Sequence, residues 1–144
     1  MKYLLFIFLV ASGVSDWKTD FEAATLEAQQ NNRNILLSFS GSDWCLPCIR
    51  LEEDVFDNAE FQSYATKNLV MAKADFPRLH KNKPSDAVQK QNDALAAKYN
   101  PKGIFPCTLL LTPLGEVIRK WDGNPGYDAA AFVSQIKDAC NKHP

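Results

Sequence analysis

Apolar and polar positions along the chain switch repeatedly between helical and strand periods. Phe21, Ala24, Thr25 and Ala28 follow helical spacing behind Thr19-Asp20-Phe21-Glu22, a capping-box pattern with Thr19 as the N-cap. This predicts a first helix from Asp20 to Gln30, stopped by the Asn31-Asn32 pair. Ile35 to Phe39 is a short unbroken apolar run, the pattern of a buried central strand. Ser40-Gly41-Ser42-Asp43 is turn chemistry, and a second helical pattern opens at Cys45. There Leu51 and Val55 pair four apart and Ile49 and Phe56 share a side, while Glu52, Glu53 and Asp54 stay wet. A short helix is expected from Asp57, with Glu60 three residues on, to Lys67, followed by a strand over Leu69 to Asp75. Phe76 to Asp86 carries two prolines and the basic residues Arg78, His80, Lys81 and Lys83, which read as the solvated charges of a surface loop.

Ser85 caps a helix to Tyr99 with Val88, Leu95 and Ala96 inward, and Asn100-Pro101-Lys102-Gly103 ends it. Thr108 to Leu111 and Val117 to Trp121 read as strands joined by the tight turn Pro113-Leu114-Gly115-Glu116. Asp122 to Tyr127 is a loop, and Asp128 to Asn141 is a closing helix with Phe132, Val133, Ile136 and Cys140 near one face. Strands alternating with helices predict a parallel core sheet covered on both faces. The terminal hairpin adds antiparallel strands, giving a three-layer α/β sandwich on a central mixed sheet.

A length of 144 residues fits one domain. A net charge of -1 gives no electrostatic reason to expect nucleic acid or an anionic membrane as partner. The first residues change the picture. Lys2, the apolar run Tyr3 to Val10, and the small residues Ala11, Ser12, Gly13 and Ser15 have the layout of a secretory signal over residues 1–15, leaving a domain over 16–144. An uncleaved anchor or a buried N-terminal strand is the competing reading. Export, to the periplasm or the exterior, implies an oxidising compartment in which the four cysteines can form disulfides.

The candidate chemistry is Trp44-Cys45-Leu46-Pro47-Cys48. A C-x-x-C pair at a helix start can close and open a disulfide. The unsatisfied N–H groups and partial positive charge of the helix N-terminus favour Cys45 as the thiolate, the species that attacks disulfides. The other meaning of C-x-x-C is a metal site. A structural zinc needs four ligands, and the remaining candidates Cys107, Cys140, His80 and His143 are scattered without ligand spacing. A strand before the motif and a helix after it favour a redox dithiol.

These residues resemble the thioredoxin family over essentially the whole chain after the signal. Trp44-Cys45-Leu46-Pro47-Cys48 is similar to the family's W-C-x-P-C, and Gly103-Ile104-Phe105-Pro106 to the segment that ends in its cis-proline. The spacing onward through Leu109 to Leu111, Pro113 and Gly115 also fits. Gly41 to Cys45, Val55-Phe56, Glu60-Phe61 and Asp75-Phe76-Pro77-Arg78 look like a secreted bacterial thioredoxin-like group that includes periplasmic Dsb-type disulfide reductases. The resemblance implies that Cys45 is the exposed nucleophile and Cys48 the buried resolving thiol. It implies that Pro106 is cis and lies against the dithiol, that Phe105 offers backbone hydrogen bonds to an extended substrate segment, and that Trp44 lines the site. Plain core packing is the bland alternative for Trp44.

Two positions depart from the family pattern. Ser38 stands where thioredoxins carry a buried Asp that assists proton transfer at the resolving Cys, while the companion Lys is matched by Lys73. Asp43, Glu52 or water is left to substitute. Cys107 follows the cis-proline where Thr is usual; it reads as a small buried hydrophobe, with a third active-site thiol or a Cys107–Cys140 disulfide as the sharper alternatives. Leu46 and Pro47 neither donate hydrogen bonds nor carry charge, which points to a potential nearer thioredoxin than a strong oxidase. The expectation is an exported, monomeric thiol–disulfide oxidoreductase that reduces protein disulfides with no bound cofactor or metal and is itself re-reduced by a membrane electron donor. The alternatives are a thioredoxin-fold binding module for a metal or thiol partner without turnover, or a disulfide isomerase or oxidase.

Overall fold

The computed structural model describes residues 16–144, so the expected signal over 1–15 lies outside the described residues. The element order is β1 (Trp17–Lys18), α1 (Phe21–Asn31), β2 (Asn34–Ser40), α2 (Leu46–Leu51), a π-helical turn (Glu52–Phe56) and α3 (Ala59–Asn68). There follow β3 (Leu69–Asp75), a 3-10 turn (His80–Asn82), α4 (Asp86–Tyr99), β4 (Cys107–Leu111), β5 (Val117–Asp122) and α5 (Ala129–Lys142). The strands form one five-stranded sheet in the order β1-β3-β2-β4-β5. β1 and β2 run parallel to β3, while β4 runs antiparallel to both β2 and β5, as expected of a parallel core with a terminal hairpin.

Strand alternation divides the core between the two faces. Ile35, Leu37 and Phe39 of β2 pack with Ala24 and Ala28 of α1 and with Leu95 and Tyr99 of α4. Leu36 turns the other way and joins Leu51, Val55, Phe56, Phe61, Phe132 and Ile136 beneath α2, α3 and α5. Phe56 is a hub of this second layer, 5.0 Å from Trp17, 5.1 Å from Phe61 and 6.0 Å from Phe132 between ring centroids.

Several boundaries differ from the sequence expectation. Asp20, not Thr19, caps α1, its carboxylate accepting from the Ala23 amide. The carboxylate of Asp20 is the side chain in reach of that amide, so the helix starts one residue later than the capping-box pattern placed it. Asn32 ends α1 at φ 50, a left-handed conformation that asparagine tolerates. α3 starts behind Asn58 rather than at Asp57, with the Asn58 side chain accepting from the Glu60 amide. β1 was not anticipated: two residues carry no readable period, and the strand exists only through its pairing with Met71 and Ala72. The helix after the cysteines does not continue regularly, since it widens into the π turn and buries Val55 and Phe56 together.

Candidate active site

The chain turns from β2 into α2 through Gly41. The Trp44 and Cys45 amides both donate to the Gly41 carbonyl, at 3.2 and 2.9 Å. A Cβ on Gly41 would overlap the Trp44 indole, so glycine lets the ring lie flat over the turn. Cys45 is the N-cap of α2, and its Sγ accepts from the Cys48 amide at 3.3 Å. Cys45 and Cys48 are joined by a disulfide. In this oxidised state the two are equally buried, each 4% exposed, so the expected exposed Cys45 is not observed. The disulfide turns Cys45 Sγ toward Cys48, while Leu46 and Pro47 between them take the solvent-facing positions.

The Phe105–Pro106 bond is cis, as the resemblance implied. Trp44 meets Phe105 edge-on at 5.5 Å, and Phe76 meets Phe105 edge-on, also at 5.5 Å. Phe105, next to the cis proline, thus packs on Trp44, the residue that precedes Cys45. The Trp44 Nε1 donates to the Phe76 carbonyl at 2.8 Å, which ties the ring to the segment after β3. Trp44 is half-buried and hydrogen-bonded at the surface, which separates it from a plain core tryptophan.

Glu52, one turn beyond Cys48, accepts from Lys73 Nζ through both carboxylate oxygens, at 2.8 and 2.7 Å. Lys73 also lies over the Trp17 ring, 4.6 Å from its centroid. Cys48, Glu52 and Lys73 line one open cleft of about 300 Å³, with Ser40, Ser42 and Ile49. Ser38 is buried on β2, in register between Lys73 and Thr108. Of the two acids weighed for the missing aspartate, Glu52 shares a cleft with Cys48. Asp43 is engaged elsewhere: its carboxylate accepts from the Arg78 and Leu79 amides and the Asn82 side chain, at 2.9, 3.0 and 3.0 Å. The Arg78 amide, then the Asn82 and Leu79 groups, hold the Asp43 carboxyl below its ordinary value.

Cys107 is fully buried on the α1/α4 side of the sheet, and its thiol donates weakly to Asp122 at 3.7 Å. Burial above all pushes the thiol up to about 12; the Asp122 charge and hydrogen bond act the same way, and Lys120 opposes them. Cys140 packs against the opposite core layer, where its Sγ accepts from the Asn34 side-chain Nδ2 at 3.4 Å. Both are free, so the alternative Cys107–Cys140 disulfide is not formed: the sheet stands between them. Among the described residues no cluster of three or more His, Cys, Asp or Glu side chains is arranged for a metal.

The thioredoxin-like family pattern matches residues 16–113. The chain belongs to the thioredoxin-like family. Among its relatives is the disulfide bond reductase DsbH of Chlamydia pneumoniae, 32% identical over 130 residues that span 90% of this chain and 75% of that protein. The solved structure of a DsbH oxidoreductase superposes with a TM-score of 0.80 at 29% identity, covering 96% of this chain and 93% of that one. A thioredoxin from Thermus thermophilus shares the fold, with a TM-score of 0.65 at 18% identity over 88% of each chain.

Sequence reasoning missed Asp43 as a tether and Arg78 as a neighbour of Trp44. Arg78 places its guanidinium 3.9 Å from the Trp44 ring centroid. Forty-three and seventy-eight lie on different loops, and no local pattern links them. The one available signal was Asp43 within the turn, an acid able to accept from backbone amides.

Proposed function

We propose that the protein is an exported thiol–disulfide oxidoreductase that reduces protein disulfides through Cys45 and Cys48. The observation that carries this reading is the Cys45–Cys48 disulfide at the start of α2, with the preceding Trp44 packed on Phe105 of the cis Phe105–Pro106 segment. The similarity to a disulfide bond reductase supports the direction.

The dithiol form starts the cycle. The Cys45 thiolate, stabilised by the Cys48 amide and the helix N-terminus, attacks one sulfur of the substrate disulfide. That S–S bond breaks, a Cys45–substrate mixed disulfide forms, and the first substrate thiolate leaves and takes up a proton. Cys48, its proton passed to Glu52, attacks Cys45 Sγ and releases the second substrate thiolate, which is protonated in turn. Their common cleft supports Glu52 in this role, with Lys73 holding its carboxylate. Two electrons have moved to the substrate, and the protein is left with the Cys45–Cys48 disulfide. An external two-electron thiol donor, expected in the membrane, restores the dithiol. Phe105 presents its backbone to the substrate by strand addition, and Trp44 borders it.

Insulin reduction with dithiothreitol tests the reading. Wild type is expected to accelerate it, Cys45→Ser to fall to background, and Cys48→Ser to accumulate a mixed disulfide visible by mass. Background rates for wild type and Cys45→Ser alike would sink it and leave the binding-module alternative.

A further inference from the structure

We propose that the 76–83 segment recognises acidic side chains beside the substrate's disulfide, with Arg78 as a specificity-determining residue; this rests on disulfide reduction at Cys45–Cys48. Arg78, His80, Lys81 and Lys83 are all exposed, and the stretch holds no acidic residue. Among the described residues Arg78, Lys81 and Lys83 enter no ion pair. A run of exposed charge is ordinarily only solvated. Here the run is fastened to the active-site turn. Asp43, two residues before Cys45, takes hydrogen bonds from Arg78, Leu79 and Asn82, and Trp44 donates to Phe76.

Arg78 is held more closely still. Its guanidinium stacks on Trp44, and the N–H edge makes no hydrogen bond among the described residues. A guanidinium engaged by its face keeps its forked donors free for a carboxylate. Trp44 in turn leans on Phe105, whose backbone enters none of the sheet's hydrogen bonds. An extended segment pairing there runs along Trp44 toward Arg78. The other flank of the dithiol has the opposite sign, since the exposed Glu53 and Asp57 line the Cys48 cleft. A substrate with acid on one side of its cysteine is therefore both attracted and oriented, while a basic one is drawn to the wrong flank. The occupant is an extended, acidic peptide or loop of a disulfide-bearing protein.

The test uses two synthetic disulfide peptides of equal length, one with Asp and Glu flanking the cysteine and one with Lys, and a small neutral disulfide as reference. Rates are measured with the reduced full-length protein, and the acidic-to-basic ratio is read within each variant, so that a general loss of rate cancels. Wild type is expected to reduce the acidic peptide on the order of fivefold to tenfold faster at low salt, with the ratio shrinking as salt rises. R78E combined with K81E and K83E is expected to abolish or invert the ratio, and R78K to retain most of it. A ratio near one for wild type, or one unchanged by salt and by charge reversal, would overturn the proposal while turnover of the neutral disulfide keeps the reductase reading. No turnover of any disulfide by wild type would overturn both.

Discussion

Cys107 shows how one side chain's surroundings decide its chemistry. It stands one residue beyond the cis proline, yet burial holds its thiol protonated with a value of about 12. The sign of its linkage follows. A thiol raised in the folded state contributes stability that is complete below the unfolded value of about 9 and is lost as pH climbs toward the folded value. Replacing it by alanine is expected to cost about 1 kcal/mol near neutrality, the cost of a small buried deletion. That variant loses the alkaline dependence. Urea unfolding of wild type and Cys107→Ala should therefore show the wild-type advantage narrowing above about pH 9. A constant difference would mean the thiol titrates as in the unfolded chain. The sequence reads Cys107 as a small buried hydrophobe, and the contacts that bury it come from the core layer under α1 and α4 and from its β5 neighbour Asp122.

At the scale of elements, the segment after β3 is positioned by a side chain outside it. Asp43 is the single acceptor for three donors of that segment, and Trp44 supplies a further bond. Asp43→Ala is expected to free the amides of Arg78 and Leu79, with hydrogen exchange there faster on the order of tenfold and the α4 interior unaffected. Equal exchange in the two proteins would show that the 3-10 turn holds itself. Because the Asp43 carboxyl is lowered, its contribution is present above the ordinary value and is lost as pH falls through the folded one. The same acid offered as a replacement proton acceptor in the sequence is thus a clasp. Glu52 shares a cleft with Cys48 because the π-helical turn opens directly behind α2, one turn beyond Cys48, and β3 supplies Lys73.

Across the whole molecule the sheet works as a partition. The layer under α1 and α4 holds Cys107, and the layer under α2, α3 and α5 borders Cys140. Oxidised protein is therefore expected to take up two equivalents of alkylating agent after denaturation without reductant, and Cys140 alone when native. Mass spectrometry of the labelled peptides checks both. Uptake of none after denaturation would mean a second disulfide has formed. Charge is also arranged across the molecule: a net value of -1 conceals a basic loop on one flank of the dithiol and an acidic turn on the other.

The order of strands and helices from α1 onward, the parallel core with its terminal hairpin, and the C-x-x-C at a helix start were legible before any tertiary contact. Each of these is written in local periodicity and in short-range spacing. Leu69–Asp75 could be read to the residue because its apolar run and flanking breakers are contiguous. The pairing of Trp17 with Met71, the Glu52–Lys73 clasp beside Cys48 and the stacking of Arg78 on Trp44 were decided by tertiary structure. In each of these the partners are tens of residues apart, and their energies exist only once the sheet has brought the loops together.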